Sequence, residues 1–225
     1  MKHRTPSASY PSYMKQETTS IATETAFETI EPKILYFGNP VALISSLNEN
    51  GTPNLAPISS FWALGWTMVL GLSRDTKTLE NLEKNPECVV NIPSPELWRN
   101  VELLAPLTGL NPVPEAKAAK FRYEPDKFRA AGFTTLASKV VAPPRVKECP
   151  AQLEATVRSI HELGRESVHR DAAAVEVEIL RVHLRKDLVL HGNHVDPLRW
   201  QPLIYNFRHY FGLGEELGKT FRAEV

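Results

Sequence analysis

This 225-residue sequence contains little cysteine and no excess of charge of either sign. It contains 2 cysteines, too few for a disulfide framework, and Cys88 lies in an apolar run that favours a reduced, buried thiol. Lys and Arg number 26 and Asp and Glu number 26, so the formal net charge is zero. A nucleic-acid binder needs excess positive charge to displace counterions from phosphates. We therefore expect a cytoplasmic protein that does not bind nucleic acid.

Long hydrophobic runs are also missing. The longest one, Phe61 to Leu72, is interrupted by two glycines and a threonine. It is shorter than the roughly 20 residues that cross a bilayer. The basic residues at positions 2–4 are not followed by an apolar segment, so a secretory signal is not supported. The sequence predicts no membrane association.

Familiar nucleotide and nucleophile motifs are absent as well. The chain has no G-x-G-x-x-G after a strand, no G-x-x-x-x-G-K-[S/T] and no G-x-S-x-G. A Rossmann fold and a P-loop are therefore not supported, and any nicotinamide cofactor must bind by another route. The histidines His183, His191, His194 and His209 lack the spacing of a metal site, so we expect no bound metal.

Composition divides the chain near residue 21. Residues 1–21 are rich in Ser, Thr, Pro and Tyr without apolar periodicity, which indicates a flexible arm or a segment that embraces a partner subunit. Residues 22–225 have the length of one globular domain.

The domain is predicted to be mainly β with peripheral helices. Apolar runs of strand length are bounded by turn residues, and the Asn50-Gly51 step favours a hairpin. A helix is expected over residues 75–84, from a start rich in cap-forming residues to a stop at Asn85-Pro86. The proline-broken stretch 96–137 is expected to be helical or irregular and to cover one end of a β-barrel or closed sheet. The predicted strands are 34–37, 41–47, 53–61, 66–72, 88–92, 152–160 and 174–190.

One candidate anion site lies where a predicted strand meets that helix. Two cations and two hydroxyl donors lie beside the first-turn N–H groups, which suits a phosphate monoester. The one carboxylate in the segment argues mildly against phosphate. A capped, solvated helix with surface charges is the alternative that the segment alone favours. The candidate residues are Ser73, Arg74, Thr76, Lys77 and Thr78.

A second candidate is the strand-like segment 54–61. Pro57 cannot donate a ladder hydrogen bond, so the segment is predicted to be an edge strand or a bulge. Its small residues would let a planar heterocycle approach the backbone closely. An ordinary edge strand protected by its proline is the alternative that this segment alone favours.

Taken in order, several motifs resemble the flavin reductase-like family, which has the FMN-binding split-barrel fold. Lys77-Thr78 with Asn81-Leu82 looks like the family's Lys-Thr-x-x-Asn-Ile/Leu element. The match covers about residues 33–217, and its specificity comes from the order of the motifs. The other matching segments are 40–47 (PVALISSL), 48–51, 54–59 (NLAPIS), 87–94 (ECVVNIPS), 131–135 and 144–155.

This resemblance implies a homodimer that binds FMN near the subunit interface. Arg74, Lys77 and Thr78 would bind the phosphate, and Asn81 would brace the helix start. Family members include NAD(P)H:flavin oxidoreductases that supply reduced flavin to a monooxygenase, and electron carriers such as flavoredoxin. The residues that would line the ring or the ribityl chain are Asn54, Ala56, Pro57, Ser59 and Ser60.

The C-terminal region departs from the short reductases of the family. Residues 196–211 concentrate aromatic and basic groups, and Arg208, His209 and Tyr210 are the candidate catalytic residues. The cluster either caps the pocket on the nicotinamide side or packs at the dimer interface. We favour the pocket.

The sequence therefore predicts an FMN-binding oxidoreductase that transfers hydride from NADH or NADPH to flavin. An electron carrier or flavin-storage protein without nicotinamide turnover is the first alternative. A specialised flavoenzyme acting on a small metabolite is the second.

Overall fold

The computed structural model describes residues 26–164 and 172–223. The chain divides into two compact units, residues 1–33 and 34–225. In the first unit, residues 26–33 are exposed and form neither helix nor strand. The predicted arm of residues 1–21 lies outside the described residues, and the boundary at residue 21 stays a prediction. All elements below belong to the second unit.

The second unit is built mainly of strands. The helices are α1 (Lys77–Lys84), α2 (Trp98–Leu104), α3 (Glu115–Ala118) and α4 (Lys127–Ala130), with 3-10 turns at Pro95–Leu97 and Lys186–Leu188. The strands are β1 (Phe37–Pro40), β2 (Ala42–Leu47), β3 (Pro53–Ile58), β4 (Phe61–Leu64), β5 (Thr67–Ser73), β6 (Glu87–Ile92), β7 (Leu107–Thr108), β8 (Arg122–Tyr123), β9 (Thr135–Leu136), β10 (Arg145–Val146), β11 (Ala151–Leu163), β12 (Ala172–Leu184), β13 (Val189–Leu190), β14 (His194–Val195), β15 (Ile204–Asn206) and β16 (His209–Phe211).

Seven strands form the main sheet in the order β3-β2-β6-β11-β12-β5-β4. Its two edge strands, β3 and β4, follow each other in the chain and are separated only by Ser59 and Ser60. The Gly71 amide of β5 donates to the Ser60 carbonyl at 2.6 Å, which extends the β4-β5 pairing by one residue into this junction. The predicted fold, mainly β with peripheral helices, is confirmed.

Two apolar cores lie on opposite faces of β2. Ala42 and Ile44 point into the first core, which β5, β6, β11, β12 and α1 share. Val41 and Leu43 point into the second core, which α2 and α4 cover. Burial on both faces explains why the sequence of β2 is a continuous apolar run rather than an alternating one.

The long hairpin β11-β12 completes the main sheet, as expected from the late apolar alternation. On β12, Val175, Val177 and Ile179 are buried, whereas Glu176 and Glu178 are partly exposed. This period of two is the pattern of a strand with one face on the core.

Some predicted boundaries differ from the structure. Residues 34–36 are not a strand, and the predicted strand 53–61 breaks at Ser59 and Ser60, where the chain passes from one edge of the sheet to the other. The predicted strand 174–190 ends at Leu184, because a 3-10 turn follows. Helix α1 begins at Lys77 rather than 75, because Thr76 keeps an extended backbone as the N-cap.

Candidate functional site

The start of α1 presents its first amides beside the end of β5. The Thr76 hydroxyl donates to the Ser73 carbonyl at 2.8 Å and accepts from the Leu79 amide at 3.4 Å. A helix leaves its first N–H groups without intrahelical partners, so the amides of Lys77 and Thr78 are the ones that can meet an anion. Buried Leu79 and Leu82 hold α1 on the first core, each contributing about 1.5–3 kcal/mol.

Buried polar side chains tie α1 to β2 and β3. Asn54 Nδ2 donates to Ser46 Oγ at 3.3 Å and to Thr78 Oγ1 at 3.2 Å. Asn81 Nδ2 donates to Ser46 Oγ at 3.1 Å and to Asn48 Oδ1 at 3.0 Å. The helix start is therefore fixed by a network rather than by apolar packing alone, which holds its amides in one position.

The Asn54 amide keeps one unpaired polar end. Its Oδ1 is buried and has no hydrogen-bond partner in the described ranges. Turning the amide over would leave the nitrogen unpaired instead, because Ser46 and Thr78 are hydroxyls that can donate or accept. A buried polar atom without a partner costs about 1–3 kcal/mol, so a ligand that supplies the missing partner is favoured.

Gly109 lies over this unpaired end. A Cβ at Gly109 would come within 2.9 Å of Asn54 Oδ1 and 2.9 Å of Lys77 Cγ. Only glycine fits here without moving its neighbours. The backbone at residue 109 therefore lies close to the start of α1, with no side chain between them. We call the group formed by Asn54, Lys77, Thr78 and Gly109 the α1 cradle.

The two cations that the sequence assigned to phosphate are both paired. Lys77 Nζ lies 2.8 Å from Glu80 Oε1, and Arg74 pairs with Glu83 at 3.1 Å and with Glu162. Partly exposed ion pairs of this kind contribute about 0–1 kcal/mol. Either cation can therefore exchange its carboxylate partner for a phosphate at little cost.

Lys117 pairs with Asp75, the carboxylate that argues against phosphate binding at the start of α1. Its Nζ donates to the Asp75 carbonyl at 2.6 Å and lies 3.1 Å from Asp75 Oδ1. The carboxylate that disfavours phosphate is thereby neutralised. No local pattern in the sequence links Lys117 to this site, because α3 lies more than thirty residues after α1.

Lys127 is a second lysine that sequence analysis missed. It is the first residue of α4, which packs on β3, and it is only 3% exposed. In the part of the chain that the structure describes, it has no carboxylate partner. Burial, and next the positive charge of Lys117, lower the pKa of Lys127 to about 7. A buried amine without a counter-ion is a strong candidate for a site that receives an anion.

The candidate ring-binding residues follow β3 to its junction with β4. Ala56 and Pro57 are half-buried on an edge strand, as predicted, and Ser59 is buried. The Ser60 hydroxyl donates to the Gly71 carbonyl at 2.7 Å. Ser60 therefore anchors the β3-β4 junction to β5. Ala56, two residues from Asn54 on the same face of β3, places no long side chain beside the α1 cradle.

The C-terminal candidates lie on the hairpin β15-β16, which pairs with β1. Arg208 and His209 are exposed, and positive φ angles at Phe207 and Arg208 form the turn. Tyr210 is half-buried, and its hydroxyl donates to Glu102 Oε2 at 3.1 Å on α2. Burial and the neighbouring Glu102 carboxylate raise the pKa of Tyr210, so it remains a phenol at neutral pH.

The structure thus gathers Asn54, Lys77 and Thr78 at the start of α1, and Asn81, one turn further along the helix, bonds the same Ser46 hydroxyl as Asn54. The contacts of the C-terminal hairpin go instead to α2 and β1. Among the described residues, no helix is long and apolar enough to span a bilayer.

The chain is similar to proteins of one family. Residues 34–214 match the model of the flavin reductase like domain. YdfE, an uncharacterised protein of Bacillus subtilis (strain 168), is 48% identical over 200 residues, which cover 88% of this chain and 95% of that protein. The predicted family is confirmed.

Solved structures share the fold. The flavoredoxin of Desulfovibrio vulgaris (Miyazaki F) superposes with a TM-score of 0.70 at 20% identity, covering 88% of this chain and 99% of that one. An FMN-binding domain of a flavin reductase-like enzyme from Shewanella baltica OS155 gives a TM-score of 0.60 at 18% identity, with coverages of 81% and 90%. The predicted split-barrel fold is confirmed.

Proposed function

Because the chain belongs to the flavin reductase like domain family, we propose that it is an FMN-dependent oxidoreductase that uses NADH or NADPH. When bound, FMN would accept a hydride and pass electrons to a second flavin, a partner monooxygenase or a small substrate. The observation that carries the proposal is the α1 cradle, where first-turn amides, cations and an unpaired buried amide converge.

The residues present fit the phosphate of FMN. Lys77 and the amides of Lys77 and Thr78 would hold it, since charge-assisted hydrogen bonds are the stronger class. The gap at Gly109 would admit a ligand beside Asn54, whose unpaired end would meet a hydroxyl of the ribityl chain. One helix start serves one phosphate, so we expect FMN to bind in preference to FAD.

Lys127 would supply positive charge from the side of α4. A charge acts more strongly in a poorly hydrated site than at the surface, because little water screens it. An anionic group of the flavin would provide the counter-ion that the described structure does not give this amine. Ala56 and Pro57 on β3 would let the ring system lie against the backbone.

A homodimer completes the proposal. Trp62, Leu64 and Trp66 are 58%, 76% and 63% exposed at the β4-β5 hairpin. Three large apolar side chains so close together are unusual on the surface of a monomer, and a second copy of the chain would cover them.

The visible spectrum of the purified protein tests the proposal directly. Titration with FMN is expected to give a bound flavin spectrum with one site per chain, and anaerobic NADH or NADPH is expected to bleach it. Equal or tighter binding of FAD would contradict the single-phosphate site. A bound flavin that neither nucleotide bleaches would favour the electron carrier instead.

A further inference from the structure

A polar cavity lies at the end of the β11-β12 hairpin where Ala151 pairs with Leu184. It has a volume of about 450 Å³, within the range of small-molecule sites. Arg145, Lys147, His183 and Arg185 line it, together with Glu148. Glu162, which pairs with Arg74 beside α1, is opposite Ala173 in the sheet, ten residues of β12 before His183. At about 3.3 Å per residue, the two ends are about 30 Å apart along the strand.

The Arg145 guanidinium, which lines this cavity, is buried and pairs with no carboxylate among the described residues. The residue is 8% exposed. Its Nε and one terminal nitrogen donate to the Ala137 carbonyl at 3.2 and 2.8 Å, and the other terminal nitrogen donates to Gln152 Oε1 at 3.0 Å. All these acceptors are neutral. Because a guanidinium has five N–H donors, two remain for a ligand, and its charge is not compensated by any described residue.

The backbone on both sides of Arg145 is fixed. The Ser45 hydroxyl donates to the Pro144 carbonyl at 2.5 Å, and the Val146 amide donates to buried Asn91 Oδ1 at 2.8 Å. Gln152 Nε2 in turn donates to the carbonyls of Val146 and Cys149 at 2.8 and 2.9 Å, which turns its Oε1 toward Arg145. The guanidinium is therefore preorganised rather than free to move into solvent.

The carboxylates around the cavity bind backbone amides, His183 or Arg185. Glu154 is fully buried and accepts from the amides of residues 139–141 and from His183 Nε2 at 2.5 Å. Glu148 accepts from the Thr134 amide at 3.0 Å, and Asp187 pairs with Arg185 at 2.7 Å. Lys147 has no ion pair among the described residues. Among the residues that line the cavity, Arg145, Lys147 and Arg185 are cationic and Glu148 is the one carboxylate.

We propose that this cavity binds the oxyanion of a small molecule, a carboxylate or a phosphate, on Arg145 and Lys147. A planar guanidinium with unused N–H donors matches both groups, and the anion would supply the missing counter-ion. The site is separate from the α1 cradle and does not depend on the proposed flavin chemistry.

Amide NMR of the full-length protein tests the site. Sodium phosphate and sodium benzoate are titrated separately, with sodium chloride holding the ionic strength constant. The amide signals of Lys147, Gln152 and His183 are expected to shift and to saturate below about 50 mM of at least one anion. Binding of phosphate at α1 would instead move the signals of Lys77 and Thr78. The two anions distinguish a phosphate-bearing ligand from a carboxylate-bearing one.

Matched variants decide whether the binding is specific. Lys147→Gln is expected to weaken binding at least about fivefold, whereas Arg181→Gln, which removes an exposed charge two residues from His183, should leave it unchanged. Arg145→Lys should also weaken binding. If the Arg145→Lys protein does not fold, Lys147→Gln alone decides whether the binding is specific. Absence of saturable shifts at these three amides, or equal weakening by Arg181→Gln, would overturn the proposal.

Discussion

Lys77 is the side chain on which the proposed phosphate site depends most. It lies against Gly109 and shares Glu80 with Lys84. Lys77→Ala is expected to weaken FMN binding by about 1.5–3 kcal/mol, because a charge-assisted hydrogen bond is lost. Fluorescence titration of FMN measures the change. Lys84→Ala is the matched control, since it removes the other partner of Glu80 away from the cradle. An unchanged dissociation constant for Lys77→Ala would place the phosphate elsewhere.

We expect the proposed flavin binding to depend on pH through Lys127. Its pKa of about 7 means that the amine loses its proton above neutrality, while an anion bound beside it favours the charged form. The phosphate is already a dianion there, since its second pKa is about 6. The dissociation constant for FMN is therefore expected to rise by about tenfold between about pH 7.5 and about pH 9.

Lys127→Met tests that dependence, with Lys120→Gln, which removes an exposed charge, as the control that retains it. A Lys127→Met protein whose FMN affinity keeps the wild-type pH profile would show that Lys127 does not contact the flavin.

The stability of the protein without flavin should change with pH in the opposite direction to its FMN affinity. The unfolded chain keeps the Lys127 proton up to about pH 10, so the free energy of unfolding should rise between about pH 7 and about pH 10.

At the scale of elements, the hairpin β15-β16 presents two different faces. Arg208 and His209 are exposed, whereas Tyr210 contacts Trp98 and Tyr205. If the exposed face meets the nicotinamide nucleotide, Arg208→Ala or His209→Ala should raise its KM and leave FMN affinity nearly intact. Steady-state kinetics and FMN titration on the same preparations measure both quantities.

Tyr210→Ala provides the contrast for packing. Loss of its ring contacts should lower the free energy of unfolding by about 2 kcal/mol, and Tyr210→Phe should recover most of it. Normal kinetics in the Arg208 and His209 variants, together with a lower free energy of unfolding in Tyr210→Ala, would assign the hairpin to packing alone.

At the scale of the whole molecule, the exposed apolar side chains of the β4-β5 hairpin predict self-association. Sedimentation at micromolar concentration is expected to show a dimer. Leu64→Glu or Trp66→Glu should dissociate it, because a charge would be buried at the interface. Leu198→Glu changes a comparably exposed side chain, 66% against 76% for Leu64, outside the hairpin and should leave the dimer intact. A wild-type monomer would refute the prediction.

The sequence by itself determined the local elements and the family. Helix α1 was predictable because cap residues, two core leucines and a terminal Asn-Pro are all local signals. Most strands of the main sheet were predictable from apolar runs and turn residues. The Lys-Thr-x-x-Asn-Leu element also places Lys77 and Asn81 one turn apart on the same face of α1, since four residues make about one turn.

Only the tertiary structure decided how distant residues meet at the site. Lys117 contacts Asp75 across 42 positions, and Gly109 covers Asn54 and Lys77, because the segment after β6 folds back over the start of α1. Lys127 looks in the sequence like any surface lysine. Its burial, and with it the lowered pKa, comes from the packing of α4 on β3. Charge and burial depend on neighbours brought together by the folded chain, and no local pattern in the sequence encodes those neighbours.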